Sequence, residues 1–290
     1  MANWLVAIGF CFAGLVPALS LAAPASAAPA LTQDRPATVD LELVLAVDVS
    51  FSMDVEEQTV QRQGYMDAFR SPEVIKAIRS GDLGRIAVTY MEWAGSETQT
   101  VVVPWTVIDG EQSAAAFADR LATEAPERRS RTSISGALIF GQTLFGADPE
   151  HGTRRAIDVS GDGPNNQGIP VTQARDAVVA GGIAINGLPI MLQRAYVDFF
   201  SIPNLDAYYR DCVIGGDAAF ILKIEHKEEF VDAIRRKLVL EISGLQPDAE
   251  HASKNGDARV IPVQFKRREP TDCMIGEKLM QQRWGIQPGR

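Results

Sequence analysis

Three oxygen-bearing side chains stand at alternate positions in "LVLAVDVSFSMD", Leu43 to Asp54: Asp48, Ser50 and Ser52. They follow a run of β-formers, where a strand runs out into a loop. Side chains alternate along a strand, but at such an exit three of them can converge on one point. One carboxylate beside uncharged hydroxyls suits a hard cation that takes oxygen ligands, Mg²⁺ or Mn²⁺. Magnesium keeps a near-octahedral shell with several waters, so these three groups alone do not complete it. Two more donors fall at other element ends. Thr132, in "RSRTSISGA", lies at the start of a helix, and Asp162, in "DVSGDG", follows the strand "RAIDV". Plainer readings compete: "DVSFSMD" and Thr132 as helix caps, and "GDGPNN" as a turn.

The elements that must position these groups alternate along the chain. "DLELVLAVDVS" reads as a strand, and "MDVEEQTVQRQGYMDAFRS" has helical spacing in Val55, Val60, Tyr65, Met66 and Phe69. "SPEVIKAIRSG" is a short helix opened by Pro72 and closed by Gly81. "GRIAVTYMEWAG" and "TQTVVVPWTVI" form an antiparallel hairpin. "EQSAAAFADRLATEA", "SISGALIFGQTLFG", "PVTQARDAVVAGG" and "NLDAYYRDCVIGG" read as helices, "RRAIDVSGDG", "IAINGLPIM" and "AFILKIEH" as strands, and "KEEFVDAIRRKLVLEIS" as the closing helix. This alternation predicts an α/β fold: a doubly wound, mainly parallel sheet with helices on both faces and one antiparallel edge strand. Ligands of such sheets bind beyond the carboxyl ends of the strands, at a topological switch point.

Strand–DxSxS–helix, then a threonine before a helix, then strand–SGDG, in that order, resembles the von Willebrand factor type A fold and its metal-ion-dependent adhesion site (MIDAS). The resemblance spans roughly Val39 to Ser243. It implies that Ser50 and Ser52 bind a cation through their hydroxyls. It further implies that Thr132 and Asp162 do so directly or through water, and that Asp48 acts through water and orients the serines. "LDAYYRDCVIGG" and "DCMIGEKLMQQRW" make the whole chain similar to an exported bacterial subfamily classed only as a domain of unknown function. The function implied is a cation-dependent module that engages a partner protein's Asp or Glu. A metal-dependent hydrolase and a structural scaffold with an empty site are the alternatives. The chain has no G-x-S-x-G elbow, no P-loop and no strand–G-x-G-x-x-G turn, and its three histidines, His151, His226 and His251, are scattered. It is therefore read as a non-enzyme.

A net charge of -9 in 290 residues argues against nucleic acid or an anionic membrane as partner. The first thirty residues carry no charge. "WLVAIGFCFAGLVPALSLA" followed by "APASAAPA" predicts a secretory signal over 1–27, cleaved after Ala27. The same run is long enough to span a bilayer, about 20 residues, so an uncleaved anchor is the alternative. Export to the periplasm or the extracellular space follows in either case. Residues 28–38 read as a linker, 39–244 as the domain and 245–290 as a polar tail without periodicity. Cys11 falls in the signal, leaving Cys212 and Cys273 as a candidate disulfide that ties the tail to the domain. Arg128, Arg129 and Arg131 precede Thr132, either as a solvated turn or as a basic rim that favours acidic ligands.

Overall fold

The structure, a computed structural model, describes Met1 and residues 38–123, 126–192, 201–245 and 270–284. The expected signal peptide and nearly all of the linker lie outside the described residues, as does His251. No helix among the described residues is long and apolar enough to cross a membrane.

Five strands form one sheet in the order β3-β2-β1-β4-β5: β1 Val39–Asp48, β2 Ile86–Trp93, β3 Gln99–Ile108, β4 Gly152–Gly161 and β5 Ala184–Pro189. All neighbours are parallel except the β2–β3 pair, so β3 is the expected antiparallel edge. Pro104 lies in that edge strand, where a missing N–H is tolerated. β1 lies at the centre and is buried on both faces. Leu41, Leu43, Leu45 and Val47 pack on one side, against α1 (Val55–Arg70), α2 (Pro72–Arg79), α3 (Glu111–Leu121) and α7 (Phe230–Ser243). Val44 and Ala46 pack on the other, against α4 (Ile134–Leu144), α5 (Val171–Ala180) and the short α6 (Leu205–Tyr208). Each large apolar side chain fully buried in these layers contributes about 1.5–3 kcal/mol.

The sheet winds in two directions from β1. The chain crosses through α1 and α2 to β2 on one side, and through α3 and α4 to β4 on the other. The carboxyl ends of β1 and β4, Asp48 and Gly161, therefore lie side by side at the switch point.

Three segments differ from the sequence reading. "AFILKIEH" is not a strand. It runs beside β5 through isolated parallel bridges, Gly187 with Ile221 and Ile190 with Ile224. The Phe220 amide donates to the Asn186 side chain at 3.1 Å rather than to a ladder. "NLDAYYRDCVIGG" begins as α6 but continues as a π-helical turn, Tyr209–Val213, in which the Ile214 amide donates to the Tyr209 carbonyl at 2.9 Å. Within the stretch read as a polar tail, Ile275–Trp284 forms an eighth helix, α8. Its apolar residues are too sparse to announce a helical face; it meets the Asn165 backbone at Gly276, while Ile275 packs on the core and Met280 is buried.

Candidate metal centre

Asp48 ends β1 fully buried, and its Oδ1 accepts a hydrogen bond from the Ser50 amide at 2.7 Å. The loop then turns so that the Ser50 and Ser52 hydroxyls meet at 2.8 Å, and the Ser52 hydroxyl donates to Asp162 Oδ1 at 2.6 Å. Asp48, Ser50, Ser52 and Asp162 are thus gathered at one place from two chain segments. The capping alternative fails for the serines. The residue that caps α1 is Asp54, whose carboxylate accepts from the Glu57 amide at 2.7 Å while Glu57 accepts from the Asp54 amide.

Thr132 is likewise released from capping, because Ser133 caps α4 by accepting from the Gly136 amide at 3.1 Å. The Thr132 loop is held beside the first one. Arg129 bridges Ser50, and the Thr132 backbone is paired in both directions with Asn166, at 2.8 and 3.0 Å. Thr132 is buried next to these loops, but its hydroxyl has no hydrogen bond to the Ser50–Ser52–Asp162 cluster. Arg131, immediately before it, takes a left-handed backbone conformation with φ 75°, a strained choice for a side chain of this size and one that often accompanies a functional loop.

The three arginines form no simple basic rim. Arg128 donates to the Phe51 carbonyl at 2.6 Å and lies over the Phe51 ring, 5.3 Å from its centroid. Arg129 pairs with Glu127 at 2.5 Å. Arg131 approaches the Met280 sulfur of α8 at 2.7 Å.

Burial raises the Asp48 pKa well above the carboxylate range and the charge of Asp162 raises it further, while the Ser50 hydroxyl and amide oppose both. Its second oxygen, Oδ2, is buried without any hydrogen-bond partner. The Tyr209 hydroxyl is orphaned in the same way. Both atoms face Gly161: a Cβ built there would stand 2.8 Å from Asp48 Oδ2 and 2.9 Å from the Tyr209 oxygen. Burial, then the charges of Asp48 and Asp162, keep the tyrosine protonated. Sequence reasoning missed Tyr209, which lies in the stretch "NLDAYYRDCVIGG" read only as a helix. Only the π-helical turn rotates it toward the strand ends, and such turns recur at functional sites.

The donor set fits a hard divalent cation: hydroxyl and carboxylate oxygens with one buried carboxylate oxygen unsatisfied. Among the described residues no group of three or more His, Cys, Asp or Glu is gathered. The expected disulfide is present: Cys212, in the π-helical turn, is bonded to Cys273 with 5.5 Å between Cα atoms.

Comparison with solved structures places this architecture. The chain is similar to the proximal thread matrix protein 1 of the mussel byssus with a zinc-occupied MIDAS motif, at 14% identity and a TM-score of 0.52 over 71% of this chain and 48% of that one. It is similar to the pilus adhesin SpaC of Lactobacillus rhamnosus GG in an open conformation, at 12% identity and a TM-score of 0.52, over 71% of this chain and 30% of that one. It is also similar to a von Willebrand factor type A protein of Catenulispora acidiphila, at 13% identity and a TM-score of 0.50, over 71% and 43%. The match spans about half or less of the length of those proteins, and at these identities it shows the fold. No curated protein matches the sequence. The profile of one family covers residues 38–246, and the chain, with its von Willebrand factor A-like fold, belongs to that family, described as "Protein of unknown function (DUF1194)".

Proposed function

We propose that the chain is an exported, divalent-cation-dependent protein-binding module rather than an enzyme. Ser50 and Ser52 would hold Mg²⁺ or Mn²⁺ through their hydroxyls, with Asp162 and Thr132 beside them and Asp48 orienting the serines. The bound cation would supply an electrophilic centre for a partner's Asp or Glu carboxylate. One observation carries the reading: a buried Asp48 oxygen without a partner behind a Ser50–Ser52–Asp162 cluster.

The surroundings support a protein partner. Phe51 and Val55, 57% and 64% exposed, flank the cluster on the same loop and the following helix start. Arg128 holds Phe51 in place from behind. An exposed aromatic beside a charge-reading centre suits a partner that offers an acidic residue next to an apolar one. The disulfide suits an oxidising, exported compartment, and the zinc-occupied motif in the mussel protein supports a metal at the corresponding loops.

The test is capture of partners from the exported fraction on immobilised protein with Mg²⁺, then with EDTA, and on the Ser52→Ala variant. Partners released by EDTA and absent from Ser52→Ala support the reading. Partners that survive both treatments place the contact on another face.

A further inference from the structure

We infer that α8 is a disulfide-anchored brace that positions the loops of the metal centre, with Glu277 and Met280 as its positioning residues. The inference rests on the proposed metal centre only for its functional consequence. The contacts themselves are independent of it.

α8 touches all three segments that surround Asp48 apart from the DxSxS loop itself. Cys273, just before the helix, is bonded to Cys212 in the π-helical turn that carries Tyr209. The same approach is tied by Thr271, whose hydroxyl donates to the Asp211 carboxylate. Glu277, 3% exposed, accepts a hydrogen bond from the Asn165 side-chain amide at 2.7 Å. Met280, 5% exposed, receives Arg131, the residue whose strained backbone leads into Thr132.

Asn165 is the point where this grip reaches the site. It follows Asp162 by three residues, its Oδ1 accepts from the Ser135 amide at 2.9 Å, and its backbone N–H donates to the Tyr208 hydroxyl at 3.1 Å. One residue thus joins the Asp162 loop to the start of α4 through its side chain and to α6 through its backbone. Glu277 fixes its orientation: with the Asn165 amide nitrogen donating to Glu277, its oxygen faces Ser135. Gly276 makes the approach possible, since a Cβ there would fall 2.0 Å from the Asn165 carbonyl oxygen. A helix attached only through an apolar stripe would need none of this. The polar, buried contact to a loop three residues from a candidate ligand is the arrangement by which outer groups set the geometry of inner ones.

The experiment uses the full exported chain in three variants, Glu277→Ala, Glu277→Gln and Cys273→Ser, read by amide hydrogen exchange without metal and by calorimetric titration with Mn²⁺. Glu277→Ala should speed exchange at Thr132, Ser135 and Asn166 while leaving the β1 amides Val44 and Ala46 protected, and should weaken Mn²⁺ binding about tenfold. Glu277→Gln keeps a carbonyl acceptor for Asn165 and should restore both, which loss of helix packing alone would not predict. Cys273→Ser should reproduce the exchange pattern of Glu277→Ala in a folded protein. Unchanged exchange at the three loop amides in both Glu277→Ala and Cys273→Ser overturns the brace. Accelerated loop exchange in a protein whose wild type takes up no Mn²⁺ upholds the brace and refutes the metal reading instead.

Discussion

Two clusters of buried carboxylates lie at different heights on the same sheet, and they are balanced in different ways. In the middle of β4, Asp158 is paired with Lys237 of α7 at 2.6 Å, and Lys237 also pairs with Glu241. Burial works against the Lys237 charge, but Asp158 and Glu241 outweigh it and hold the ammonium above its usual value. Asn186 closes the group by donating to Glu241 at 2.9 Å. At the strand ends, Asp48 is as deeply buried, yet what lowers its pKa comes from the Ser50 hydroxyl and the Ser50 and Asp162 amides rather than from a basic side chain; one of its oxygens lacks a hydrogen-bond partner, as Glu241 Oε2 does in the first cluster. Where the chain needs only a fold, it supplies its own cation. At Asp48 it supplies hydroxyls and amides instead, which is what a centre whose cation comes from outside requires.

Breaking the first cluster should have the largest effect. Lys237→Met leaves Asp158 and Glu241 buried without their cation and should cost about 3–5 kcal/mol in urea unfolding. A loss under about 1 kcal/mol would place the two clusters on the same footing and remove the contrast. Changing Asp48 should have the opposite sign. Without metal, Asp48→Asn replaces a buried carboxyl group whose ionisation burial and Asp162 both oppose, so the melting temperature should hold or rise. With Mn²⁺ at about 100 times Kd the wild type should gain about 2.7 kcal/mol and the variant nothing, a difference of about 2–4 °C in Tm for each kcal/mol.

A third pair sharpens the comparison with the smallest effect. Glu42 beside Asp148 has its pKa pushed up to about 7, by burial first and then by the Asp148 charge, against the Gly152 amide that it accepts at 2.8 Å. The folded value lies above the usual 4.5, so the stability from the protonated form is fully present below about pH 4.5 and is lost as pH rises through 7. Glu42→Gln should flatten that slope, with a gain on the order of 1 kcal/mol at pH 8 measured by thermal unfolding across pH 4.5–8.

Much of this was legible in the sequence because it is written in local pattern. β1 shows its central place as an unbroken apolar run, the hairpin and its antiparallel edge follow from two runs joined by a short turn, and DVSFS marks a strand end. The order of strands and helices also brought Asp162 to Asp48, since a switch point puts the ends of β1 and β4 together. The cap of α1 was legible too, since Asp54 with Glu57 three residues on is a local capping signature, but it went unread. What stayed hidden depends on contacts distant in sequence. The π-helical turn that aims Tyr209 at Asp48 has no period of its own. α8 binds through a glycine, one glutamate and a sulfur, so hydrophobic periodicity does not announce it, although the Cys212–Cys273 pairing did indicate where its chain is tied.

The central claim is that one divalent cation completes the cluster at Asp48, Ser50, Ser52, Thr132 and Asp162. Calorimetric titration of Mg²⁺ and of Mn²⁺ into wild type and Asp162→Ala tests it most directly. Saturable heat corresponding to one site in the wild type, absent from Asp162→Ala, is the predicted result. Equal heats from the two proteins would contradict it.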